Sequence, residues 1–168
     1  MATSEPTVAP LAAHVSDPAT GAIETVWVAD HRVKILLNAA QTGGAFSMIE
    51  VLVVAPFGDG PPPHRHSRET ETFHVLEGRF GWTLDGVSGE AGPGATIVAP
   101  VGSLHTFRNA GPEPLRVLVI MTPGGLENFF RETGRPAKSA DDREPPEITP
   151  EVVLKLVSDF ERFGGSWS

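Results

Sequence analysis

Apolar residues in this chain fall in short runs with the period of β-strands. Glu24 to Ala29 and Arg32 to Leu37 read as two strands joined at Asp30-His31. After the Gly43-Gly44 break, Phe46 to Val54 is dense in β-branched residues and reads as a strand buried on at least one face. Pro56 to Pro63 cannot sustain a hydrogen-bond ladder. Glu71 to Glu77 reads as a strand closed by Gly78, Arg79 to Leu84 follows, and Asp85-Gly86 is a hairpin signal. Gly89 to Gly94 reads as a turn, with short strands at Thr96 to Ala99, Leu104 to Arg108 and Leu115 to Met121. Closely spaced short strands without intervening helices predict an all-β sandwich or closed antiparallel barrel.

The pattern changes at both ends. Residues 1–20 are rich in Ala, Pro, Thr and Ser and read as an arm, either mobile or docked on a neighbouring subunit. The barrel is expected over 21–123 and a helical extension over 124–168. Within the extension, Gly125 to Thr133 predicts a short helix stopped by Gly134, and Pro136 to Pro146 reads as a linker. Thr149-Pro150 opens a second helix, whose Val153, Leu156, Val157 and Phe160 share one face. That stripe is expected to pack on the barrel or on a partner subunit; a lid over a pocket is the other use for it.

Composition narrows the function classes. A net charge of −8 leaves no generally basic surface for a phosphate backbone, so nucleic acid is not an expected partner. Without cysteine, disulfides, thiolate metal sites and thiol nucleophiles are excluded. The first eleven residues carry no basic residue and no apolar segment of secretory type, and no run approaches a membrane span. A soluble cytoplasmic protein without membrane partners is the expectation.

Three of the six histidines fall in an informative pattern. His64 and His66 are two apart, so on a strand both imidazoles point to one face. Glu71 opens the next strand and shares its face with Phe73 and Val75. His105 lies on a later strand, on the face of Phe107 and Asn109. Imidazole nitrogen and carboxylate oxygen suit first-row divalent metals, and three histidines with one carboxylate leave coordination positions open for a reactant. Strand parity allows Glu71 over its neighbour Glu69 without forcing the choice.

The flanking residues carry a resemblance. Five residues separate Gly58 from His64, four separate His66 from Glu71, and six separate Glu71 from Gly78. Further on stand Gly94, Pro100, Gly102, His105 and Asn109. These two stretches resemble the two cupin motifs at every position. The proline-rich approach to His64, the phrase Phe73-His74-Val75-Leu76-Glu77-Gly78 and Gly125 to Phe130 are similar to single-domain cupins related to quercetin 2,3-dioxygenase. The resemblance implies a cupin jelly-roll barrel (a double-stranded β-helix) with short C-terminal helices. It implies one divalent transition metal (Fe, Mn, Ni, Co, Cu or Zn) on His64, His66, Glu71 and His105. It also implies a dioxygenase acting on a small aromatic or enolisable substrate, with Glu71 taking the substrate's hydroxyl proton. Phe46, Met48, Phe73 and Phe107 are the expected pocket walls, and a homodimer the expected assembly. A metal-dependent isomerase or cyclase, and a binding protein without chemistry, are the alternatives. His74 and Arg65 are expected to face away from the metal, and His14 and His31 to lie on the surface or the arm.

Overall fold

A computed structural model describes residues 12–19 and 23–168. The expected arm over 1–20 lies largely outside them. Twelve strands form two antiparallel sheets among the described residues. The larger sheet runs in the order β11 (Arg135–Pro136), β1 (Glu24–Val28), β2 (His31–Leu37), β3 (Ser47–Val53), β10 (Leu115–Thr122), β5 (Thr70–Glu77) and β8 (Thr96–Ala99). The smaller runs β12 (Gly165–Trp167), β4 (His64–His66), β9 (His105–Asn109), β6 (Phe80–Leu84) and β7 (Val87–Ala91). Two helices follow the barrel strands, α1 (Glu127–Thr133) and α2 (Pro150–Arg162). No helix is long and apolar enough to cross a membrane among the described residues.

Alternation sets the core. On β10, Leu115, Val117, Val119 and Met121 are all buried while the residues between them are not. The same parity buries Ile49 and Val51 on β3 and Phe73 and Val75 on β5, the strands nearest β10 in register. Phe80 is 1% exposed, and its ring lies 5.4 Å from Phe73 and 5.6 Å from Phe107. Phe80→Ala would remove a ring that both partners contact, at a cost of about 3–5 kcal/mol in urea unfolding. A loss below about 1 kcal/mol would mean that this corner is not close-packed.

Several boundaries differ from the pattern-based expectation. The first hairpin turns at Ala29-Asp30, with Ala29 in the left-handed region (φ 53°), so His31 belongs to β2. The Asp85-Gly86 turn is where the sequence puts it, but its second strand extends through Gly89 to Ala91. Gly89 faces the Trp82 ring across the pair; a Cβ there would stand 2.6 Å from that ring, so glycine permits the strand pairing. The 136–146 stretch is anchored rather than a free linker. Buried Asp142 accepts hydrogen bonds from Trp27 Nε1 (3.0 Å) and from the Lys138 and Glu144 amides, and its carbonyl accepts one from Arg32 (2.7 Å). Finally, β11 and β12 both lie in the region expected to be only helical, and each adds to the edge of a sheet.

Candidate metal centre

The four candidate ligands come from both sheets. His64 and His66 project from β4, and His105 pairs directly with His64 from β9. Glu71 reaches across from β5 of the other sheet. All four are buried, and one ligand atom from each lies within 4.8 Å of the others. Glu71 Oε2 is 2.8 Å from His105 Nε2 and 3.2 Å from His66 Nε2.

Backbone carbonyls set the histidine tautomers. His64 Nδ1 donates to the Pro62 carbonyl (2.9 Å) and His105 Nδ1 to the Ser103 carbonyl (3.1 Å), since a carbonyl can only accept. His64 therefore presents its Nε2 lone pair inward, the state a metal ligand requires, and His105 Nε2 does so once it gives up the proton it shares with Glu71. His66, 3% exposed, has no hydrogen-bond partner on either ring nitrogen. A buried orphan imidazole beside two inward-facing nitrogens and a carboxylate fits a divalent ion, which would satisfy all four groups at once.

The electrostatics agree. Burial pushes the Glu71 carboxyl up, but His66, His105 and His64 outweigh it and hold the group well below the usual carboxylate range. Burial acts downward on His105, yet its hydrogen bond to Glu71 raises it overall. Burial, reinforced by His105 and His66 against the pull of Glu71, lowers His64 to about 4. The 2.8 Å contact between Glu71 Oε2 and His105 Nε2 accounts for the opposite shifts of the two groups.

This yields an acid-side prediction for the metal-stripped protein. Below about pH 6.5 His64 takes a proton in the unfolded chain, whereas the folded protein resists until about pH 4. Stability therefore falls by about 3 kcal/mol across that window. Glu71, held low, contributes stability that persists above the ordinary carboxylate pKa and is lost only below it. His105, held high, contributes fully below about pH 6.5 and loses its share as pH rises. Urea midpoints at pH 7 and pH 4.5 should show the fall, and His64→Gln should flatten it; equal wild-type midpoints would contradict the assignment.

His64, His66 and Glu71 of the quartet line a partly open cavity of about 340 Å³. Phe73 and Phe107 line it; Phe46 and Met48 do not. Strand parity explains the difference: Ile49 and Val51 turn inward on β3, leaving Met48 on the outer face with Glu50, and Phe46 precedes the strand. The stripe Val153, Leu156, Val157 and Phe160 on α2 lines the cavity, with Val153 and Val157 still exposed. Trp167 joins them, because β12 pairs with β4 and places its indole 5.8 Å from the His64 ring. A larger, more open groove of about 690 Å³ near Trp82 and Arg108 holds none of the quartet. The smaller cavity, which three of the four candidate ligands line, is the better candidate.

Three residues gain roles that the pattern did not give them. His31 lines the cavity rather than the surface. Trp167 sits in a strand too short to show a period. Glu69 is buried with Oε2 unpartnered, 4.0 Å from His66 Nδ1, and burial raises its carboxyl. His74 bonds the Thr96 hydroxyl on the opposite face of β5, and Arg65 is exposed. Asn109 is fully buried and ties loops together through the Ala55 and Glu113 carbonyls.

Two antiparallel sheets closed around a three-histidine, one-carboxylate cluster have the architecture of a cupin jelly roll, and the cluster is a potential metal site. The family profile described as "Cupin domain" matches residues 51–121. It is 32% identical over 107 residues to quercetin 2,3-dioxygenase of Bacillus subtilis, a match covering 64% of this chain but only 31% of that enzyme. Among solved structures, it resembles an RmlC-like cupin from Shewanella frigidimarina (TM-score 0.55, 19% identity, 70% of this chain and 96% of that one). It also resembles a sugar phosphate isomerase of the cupin superfamily from Silicibacter pomeroyi (TM-score 0.53, 21% identity, 63% and 73%). At such identities these structures establish the fold alone.

Proposed function

We propose that the protein is a metal-dependent dioxygenase for a small aromatic or enolisable substrate. The supporting observation is the pairing of the quartet with an apolar cavity that no lysine or arginine lines among the described residues. A phosphorylated sugar needs cationic or N–H donors for its phosphate. This cavity offers aromatic rings and aliphatic walls, which suit a flat apolar molecule. The likeness to quercetin 2,3-dioxygenase points the same way.

In this reading His64, His66, Glu71 and His105 hold the ion. When bound, it supplies a Lewis acid that acidifies a substrate hydroxyl and an open position for reactants. Glu71 takes the hydroxyl proton at Oε2, the oxygen already shared between His66 and His105. Phe73 and Phe107 hold the ring system flat against the inner wall, while Phe160 and Trp167 exclude water from the cluster side. We also propose a homodimer, to be tested by light scattering; a monomeric mass at micromolar concentration would overturn it.

Oxygen uptake by metal-reconstituted protein offered quercetin and 3-hydroxyflavone tests the activity. Uptake is expected to track substrate loss, and Glu71→Gln to lower it by about 10²–10⁴-fold, the usual range for a positioned base. Turnover unchanged under nitrogen would replace this reading with isomerisation or cyclisation. Binding without turnover would leave a binding protein.

A further inference from the structure

Away from the quartet, two hydrogen-bond acceptors face each other on the cavity wall with no donor between them. His31 Nε2 lies 3.2 Å from the Asp59 carbonyl, which can only accept, so Nε2 carries the proton. Burial lowers the pKa of His31 despite the adjacent Asp30, which favours the neutral ring. Its Nδ1 is then a bare lone pair, 3.7 Å from Asp30 Oδ1. That separation exceeds a hydrogen bond, and neither atom supplies a proton to the other. A hydroxyl seated beside the pair can donate to either acceptor.

The position gives the gap a use. Asp30 and His31 are the only ionisable side chains besides the quartet that line the cavity among the described residues. The His31 ring lies 5.9 Å from Phe107, Phe107 lies 5.8 Å from Phe73, and Phe73 lies 6.3 Å from His105. A wall of two aromatic rings therefore leads from the cluster to the acceptor pair. The His31 side chain is 13% exposed, so it belongs to the cavity more than to bulk water.

We propose that Asp30 and His31 form a specificity site that accepts a hydrogen bond from a hydroxyl on the substrate, remote from the group held at the metal. The substrate class is then an apolar ring system carrying one metal-binding oxygen function and one distal hydrogen-bond donor. This rests on the reading of the quartet as the substrate-holding metal centre, and it predicts a preference that an apolar cavity alone would lack. A methyl ether at the same place cannot donate and leaves both acceptors unpaired.

The test uses the full chain loaded with zinc under nitrogen, where no turnover complicates binding. Probes are 3-hydroxyflavone, its 7-hydroxy and 4′-hydroxy derivatives, and the two matching methyl ethers, titrated by fluorescence. At least one hydroxy probe should bind about five- to tenfold more tightly than its own ether. In His31→Leu that ratio should fall to about one, while the Kd of 3-hydroxyflavone changes by less than about twofold. His31→Gln, which keeps a side-chain acceptor, should retain part of the preference. Asp30→Ala, at a more exposed turn position, should also lower the ratio and covers the case in which a His31 variant misfolds. No preference in wild type, or one that persists in His31→Leu, overturns the specificity site and leaves the metal centre standing. If 3-hydroxyflavone fails to bind, or binds metal-stripped protein equally well, the metal-centre reading falls and this inference falls with it.

Discussion

His66→Ala is expected to leave the purified protein with almost no bound metal. Elemental analysis should fall from about one ion per chain to less than about a tenth, with His74→Ala unchanged as a control on the opposite face of β5. His66 is chosen because its ring nitrogens have no other work: both are buried without a hydrogen-bond partner. By contrast, His64 and His105 are each also tied to a backbone carbonyl. Stability should report the same event. An ion that binds only the folded chain adds about 2.7 kcal/mol at a hundredfold excess over its Kd, so added metal should raise the wild-type thermal midpoint and leave that of the variant in place. A variant that keeps its full ion would remove the four-ligand assignment.

The second large effect is expected at Gly60. A Cβ there would stand 1.7 Å from the Phe107 carbonyl oxygen, a backbone atom that no rotamer change can move. Gly60→Ala must therefore push the 58–63 approach away from β9. That movement would break the bridge between Asp59 and Arg108 and loosen the hydrogen bond from the Thr106 hydroxyl to the Pro61 carbonyl. The expected cost is about 3 kcal/mol or more in urea unfolding. Because Pro62 holds the His64 tautomer through its carbonyl, metal affinity should weaken as well. A normally stable, fully loaded Gly60→Ala protein would mean that the approach is not seated against β9.

The histidine pair was legible in the sequence because its geometry rests on a short-range rule, while Glu71 and His105, brought in from other strands, were indicated by the resemblance to the cupin motifs. Two-residue spacing on a strand fixes the common face of His64 and His66, and the glycine and proline positions around them fix where the turns fall. Gly78, Gly94 and Gly102 do adopt positive φ, at 83°, 88° and 81°. The cavity wall was less legible because it depends on which way a strand faces. On β3, Met48, Ile49, Val51, Leu52 and Val53 make an apolar run on both faces, so period alone does not identify the inward set. His31 was assigned to a turn that forms one residue earlier, at an alanine with φ 53° that carries no glycine signal. Nothing in Gly165-Ser166-Trp167 marks a strand; its ladder exists only because β4 offers an unpaired edge.

That last ladder has a thermodynamic consequence. The strand bearing two of the ligands is held on one side by β9 and on the other by residues a hundred positions downstream. If the docked tail steadies the imidazoles, reciprocity requires that a captured ion steady the tail by the same free energy. Amide exchange at Gly165 to Trp167 should then slow on loading, making the C-terminal backbone a reporter of an ion it does not touch.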